Sequence, residues 1–183
     1  RCVTLYSWFR RSLIKRHNVR ETTRDATVAK KSLVLALAVC YHARLDKRTR
    51  KQYRNCITTC FNELQGNLGV SLTKGEFKRI LMSEMRFYVE QMNPGDGIAL
   101  NEALCENIFM LLVCILNNVP IFVVGKPGSS KSLAMELIAS NLNGKTSANP
   151  AFRHLPAIEV FSFQCSPLSH SEGIEQSFSH SLR

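Results

Sequence analysis

The residues with the clearest capacity for chemistry lie in one short stretch, VGKPGSSKS, from Val124 to Ser132. A phosphate-binding loop reads glycine, four residues, glycine, lysine, then serine or threonine. Gly125, Lys131 and Ser132 occupy those positions, and Ser130 stands where the second glycine belongs. Such a loop works because successive backbone N–H groups converge on an anion, and the following helix adds the positive end of its dipole. Gly125 and Gly128 let the chain bend sharply and approach a phosphate closely. Lys131 offers a point charge to the β- and γ-phosphates, and the Ser132 hydroxyl a ligand for Mg²⁺. The pattern predicts ATP and Mg²⁺ held by Gly125, Lys126, Pro127, Gly128, Ser129, Ser130, Lys131 and Ser132, with the Lys126 side chain facing solvent. The competing reading is a turn rich in small residues that binds nothing.

The loop has this meaning only between a strand and a helix. Val119 to Val124 is a short, β-branched apolar run and predicts a buried strand. A helix is expected over 132–142, stopped by Asn143-Gly144, and a second strand over 157–163. Upstream, Asn101 can cap a helix running to about Asn117. Thr73 and Glu76 form a capping box opening a helix over 73–92, which Asn93-Pro-Gly-Asp-Gly97 must end. Apolar spacing predicts earlier helices over 3–17, 26–44 and 52–64, with Gly66 and Gly69 breaking the pattern. Ser169 and Glu172 form a second capping box for a last helix cut short by the end of the chain.

Composition narrows the function classes. At 183 residues and 45% hydrophobic, the chain can bury a core and is too apolar to be disordered. The net charge of +10 is uneven, with 15 Lys/Arg against 3 Asp/Glu over residues 1–55 and 9 against 11 beyond. No aromatic ladder accompanies the basic block, so a solvated helical face is expected rather than specific nucleic-acid binding. Seven cysteines, an odd number, suggest reduced thiols packed as small hydrophobes, and therefore the cytosol. Cys56 and Cys60 have half-site spacing for zinc, but no second pair follows. His154, His170 and His180 lie at no useful step from a nucleophile. The apolar run from Ser32 to Tyr41 falls short of the roughly 20 residues a bilayer core requires, so a buried helix and no transmembrane segment are expected.

The stretch CENIFMLLVCILNNVPIFVVGKPGSSKSLAM, with NEAL before it and FSFQCSPLSHSEGI after it, resembles one AAA+ unit of the mysterin family. These are giant RING-type E3 ubiquitin ligases with a dynein-like chain of AAA+ units. The serine-substituted GKPGSSKS is characteristic of that family, and SLVLALAVCYHARL resembles the helical segment ahead of the unit. The resemblance covers about residues 28–178, most strongly 97–175.

The resemblance implies an α/β fold: an N-terminal helical segment, then the first part of a P-loop AAA+ αβα core with parallel strands. Residues 1–65 would be the lid of the preceding AAA+ unit, 66–96 a linker with one helix, and 97–183 the start of the nucleotide-binding core. Ile98, Ala99 and Leu100 become candidates for contact with adenine, alongside simple helix-entry packing. Implied partners are ATP or ADP, neighbouring AAA+ units, and, through other parts of the parent, ubiquitin and a ubiquitin-conjugating enzyme. The implied location is the cytosol, extending to the lipid-droplet surface.

Hydrolysis also requires an acidic pair at the end of a later strand and an arginine from a neighbouring unit. No such acidic pair follows Lys131, so catalytic residues are expected to lie outside this stretch. By itself the chain should hold nucleotide weakly or not at all, and should not turn it over. Two other readings stay open: a unit of another ring ATPase, dynein- or midasin-like, or a basic helical interaction module with a degenerate loop.

Overall fold

The computed structural model describes residues 1–17, 25–64, 69–92 and 94–181. Gly66 and Asn93, expected helix breakers, lie outside the described residues. The chain forms α1 (Cys2–His17), α2 (Asp25–Cys40), α3 (Lys47–Glu63), α4 (Glu76–Gln91), α5 (Glu102–Leu116), α6 (Lys131–Asn141) and α7 (Ser171–Ser181). Short 3₁₀ turns at His42–Arg44, Gly144–Thr146 and Pro150–Phe152 join them.

Helix α5 is the centre of the packing. Asn101 Oδ1 accepts the Leu104 N–H at 2.8 Å, closing the start of the helix as its sequence predicts. Leu104, Cys105, Ile108, Phe109, Leu111, Leu112, Val113 and Cys114 are all buried, so the helix is apolar nearly all round. It must therefore be surrounded. Phe9 of α1 stacks on Phe109 at 6.1 Å, Tyr88 of α4 meets the same ring at 6.1 Å, and Ala134, Leu137 and Ile138 bring in α6. One core cluster thus takes side chains from Leu5 to Phe152.

Among the described residues, ion pairs from Arg16, Lys30 and Arg50 tie the basic N-terminal half to later helices. The Arg16 guanidinium makes two hydrogen bonds to Glu84, at 3.0 and 2.6 Å, and lies 3.6 Å over the Phe87 ring. Arg50 grips Glu106 with two nitrogens, at 2.9 and 2.6 Å, while also donating to the carbonyls of Leu45 and Ala43. Lys30 meets Glu76 at 2.6 Å. Part of the N-terminal charge is therefore used to dock helices rather than solvated.

Most helical expectations hold with small shifts, but Ser169 does not cap the last helix: its Oγ accepts the Ser166 N–H at 2.7 Å, and the helix starts at Ser171. Helix α4 ends before Pro94 as expected, but it starts at Glu76 rather than Thr73, because Gly75 at φ 80 is its N-cap. Glu76 does reach back to the Thr73 N–H at 2.8 Å, whereas the Thr73 hydroxyl donates to the same carboxylate instead of capping the helix. The stretch Ala26–Arg44 is apolar and long enough to pass as a membrane span. Within it Ser32, Val34, Leu35, Ala36, Ala38 and Val39 are buried against the rest of the fold.

The fold class differs from expectation. The αβα core with parallel strands does not form: among the described residues there is no strand, and the architecture is all-helical. Among the described residues, β-type pairing is confined to an isolated antiparallel bridge between Asn143 and Ala157. The physical reason is that β-branched composition makes a strand only when a second backbone lies alongside to complete the ladder. In 119–124, Ile121 and Val123 pack on the core while Phe122 and Val124 are 93% and 92% exposed. That two-residue alternation is what the apolar run specifies, and no neighbouring backbone completes it. In 157–163, only Ile158 packs on the core, with its N–H on the Leu142 carbonyl at 2.9 Å.

A pH response follows from His42. It is buried beside Phe77, and its Nε2 is 3.0 Å from an Arg54 guanidinium nitrogen. Burial, then the charges of Arg50 and Arg54, lower its pKa from about 6.5 to about 4. Between those values the unfolded chain binds the proton and the folded chain does not, so stability is full above pH 6.5 and falls as pH drops toward 4. His42→Gln keeps an acceptor for Arg54 without titrating. Denaturant titrations across this range should show a smaller loss of stability in the variant than in the parent; equal losses would remove His42 as the cause.

Candidate nucleotide-binding loop

The loop is launched by the end of α5. Asn118 takes the left-handed conformation at φ 52, which asparagine tolerates, and donates to the Ile115 carbonyl at 3.1 Å. The next N–H, of Val119, reaches back to the Cys114 carbonyl at 2.8 Å. This paired closure of the helix end sends 119–124 directly off the central helix toward Gly125.

Residues 125–130 then form the loop, and Lys131 opens α6. A Cβ at Gly125 would lie 2.8 Å from Ser129 Oγ, so a side chain there would displace that hydroxyl from its place in the loop. Gly128 sits at φ 76 and is required by conformation. Ser130, at φ 58 and ψ 20, occupies the left-handed region as N-cap of α6 and makes no side-chain capping bond. The missing glycine of the pattern therefore falls at a position whose backbone favours glycine.

The Lys131 ammonium is turned back into the loop. It donates to the Gly125 carbonyl at 2.7 Å, the Lys126 carbonyl at 2.8 Å and Ser129 Oγ at 2.9 Å, which uses all three of its protons. Ser129 Oγ in turn donates to the Lys126 carbonyl at 2.8 Å. One cation thus organises the loop around itself, half-buried, at the positive end of α6. These features fit a phosphate group: a loop bent at Gly128, a helix N-terminus without a side-chain cap, and a lysine whose partners are neutral oxygens.

The structure brings Gly125, Lys126, Ser129 and Lys131 into one hydrogen-bonded unit. Lys126, Pro127, Gly128 and the Ser132 hydroxyl are exposed at its edge. Ile98 is half-buried against the core, while Ala99 and Leu100 are exposed ahead of Asn101. Glu159 and Glu172 are exposed, and no group of three or more metal-ligating side chains exists among the described residues.

Comparison with known proteins decides the family. A family model described as "RNF213 AAA domain" matches residues 97–183, the part that contains the loop. E3 ubiquitin-protein ligase RNF213 from Homo sapiens is 33% identical over 197 aligned residues, covering 100% of this chain and 4% of that protein. The Mus musculus protein of the same name is 35% identical over 199, again 100% of this chain and 4% of the protein. E3 ubiquitin-protein ligase rnf213-beta from Danio rerio is 39% identical over 153, covering 84% and 3%. The chain belongs to the RNF213 family. This is the mysterin-type relationship expected from the loop and its flanks. The chain spans about 4% of the length of its human and mouse relatives and is an AAA-type segment.

Within this RNF213-type segment, one site residue was not legible from the loop pattern. Asn107 of α5 donates from Nδ2 to the Ser129 carbonyl at 2.8 Å. The signal available in the sequence was the pair Glu106-Asn107, two adjacent polar residues within the apolar body of the helix.

Ser130 gives a direct test of the backbone argument. A left-handed residue other than glycine costs about 1–2 kcal/mol, offset in part by the roughly 0.5–1 kcal/mol of extra chain entropy that glycine brings to the unfolded state. Ser130→Gly should therefore stabilise the chain by about 0.5–1 kcal/mol in chemical denaturation. A destabilised variant would mean that the serine side chain contributes more than the backbone strain costs.

Proposed function

We propose that this segment binds ATP with Mg²⁺ through Gly125–Ser132, as part of an AAA-type motor in an RNF213-like E3 ubiquitin ligase. The observation that carries the reading is the placement of Lys131. A lysine at the first turn of a helix, folded over a glycine loop and paired with neutral oxygens alone, is poised to exchange those oxygens for phosphate. Backbone N–H groups of the loop and the first turn of α6 would hold the phosphates, and the Ser132 hydroxyl would provide one Mg²⁺ ligand. Ile98 and Ala99 remain the residues proposed for contact with adenine.

The parent protein would couple ATP binding and hydrolysis to ubiquitin transfer. Its neighbouring AAA+ units, ubiquitin and a ubiquitin-conjugating enzyme would be engaged by other parts of the chain, in the cytosol and at lipid-droplet surfaces. The relatives, named E3 ubiquitin-protein ligases, support the ligase assignment, and the matched AAA family model supports the motor. The reading as a basic interaction module is weakened because Arg16, Lys30 and Arg50 already have carboxylate partners within the fold.

The test is hydrogen-exchange mass spectrometry on the full-length protein, which resolves this loop from any other nucleotide site. Peptides spanning 125–132 should gain protection with Mg-ATP. Lys131→Ala should move the midpoint of that protection about ten- to hundredfold higher, the loss expected for a hydrogen bond to a charged group. Ser132→Ala should instead weaken the Mg²⁺ dependence. Unchanged protection in Lys131→Ala would reduce the stretch to a simple turn.

A further inference from the structure

We propose that Asn107, on a different helix from the loop, is a positioning residue that sets nucleotide affinity by aiming the Ser130 N–H. The inference rests on the reading of 125–132 as a nucleotide site. Its physical basis is the geometry of one peptide unit. Peptide bonds here are all trans, so the Ser129 carbonyl and the Ser130 N–H point in opposite directions. Asn107 Nδ2 holds that carbonyl toward α5 at 2.8 Å. The Ser130 N–H is consequently directed away from α5, and no backbone or side-chain acceptor within the loop takes it. It is available to an anion.

The same peptide unit is where the loop is least constrained by residue type. Ser130 stands at φ 58 without the freedom of glycine, so an alternative orientation of this peptide would relieve strain. Something outside the loop must oppose that relaxation, and Asn107 is the side chain in contact. Asn107 is itself well anchored. It follows Glu106, whose carboxylate is gripped by Arg50 at 2.9 and 2.6 Å, while Arg50 is fixed to the Ala43 and Leu45 carbonyls. Helix α5 is thereby held in rotation by one polar residue and holds the loop by the next.

The experiment uses the full-length protein, with hydrogen exchange in peptides 125–132 and 102–116 followed against Mg-ATP. Asn107→Asp keeps the size and removes the donor, and Asn107→Ala removes the side chain. Both should raise the midpoint of loop protection about three- to tenfold, the contribution of one hydrogen bond, and speed loop exchange without nucleotide. Exchange across 102–116 should stay as in the parent. The inference is overturned if the midpoint is unchanged while Lys131→Ala still shifts it, leaving the nucleotide site intact. It is equally overturned if exchange rises across α5, since Asn107 would then act on helix stability. If the parent loop gains no protection at all, the nucleotide reading fails and this inference falls with it.

Discussion

The structure depends on the burial of one helix that has almost no polar face. Each of the large apolar side chains on α5 contributes about 1.5–3 kcal/mol when fully withdrawn from water. That gain requires cover on every side, and α1, α2, α4 and α6 provide it. An amphipathic helix could have stood at the surface with one neighbour; α5 cannot. The requirement also fixes where 119–131 must run, since α6 can bury Ala134, Leu137 and Ile138 only by returning along α5. The loop is the connection that permits this return, and Gly128, at φ 76, is a point where the chain turns.

The exceptions on α5 are as informative as the rule. Glu106 and Asn107 are adjacent, so they leave the helix about 100° apart and address different neighbours. Glu106 faces Arg50 from the basic N-terminal half, and Asn107 faces the Ser129 carbonyl in the loop. A half-buried carboxylate would be costly alone, which makes the two-pronged Arg50 contact a condition for placing Glu106 there. Part of the positive charge of the N-terminal half is used in contacts of this type. Arg16 and Glu84 repeat it between α1 and α4, where Glu84 retains only 8% of its side-chain exposure.

Most helices were legible because their signals are local. Asn101 as a cap, Pro94 after α4 and the apolar spacing of α1 and α3 each act within a turn or two of chain. The expected strands at 119–124 and 157–163 failed for the opposite reason. Strand formation is a property of two backbones, and a run such as Val-Pro-Ile-Phe-Val-Val states only that one face will be apolar. The alternating burial of Ile121 and Val123 against exposed Phe122 and Val124 honours that statement without any ladder. The loop occupies a middle case. Its lysine and glycines could be read from spacing, but the left-handed backbone at Ser130 and the anchor from Asn107 depend on tertiary placement.

The arrangement of Lys131 carries the argument furthest. An ammonium half-withdrawn from water needs acceptors, and the loop provides two carbonyls and a hydroxyl, all neutral. Those bonds tie 125–131 into one hydrogen-bonded shape. A phosphate offers the same nitrogen charged oxygens, whose hydrogen bonds are roughly twice as strong. Exchange of partners at Lys131 would therefore release the Gly125 and Lys126 carbonyls together and free Ser129 Oγ, while the Ser129 carbonyl remains held from α5. The loop's internal bonds divide into a set that can be traded for ligand and one that stays with the scaffold. That division is what a loop must have if it is to open for an anion without losing its position on the fold.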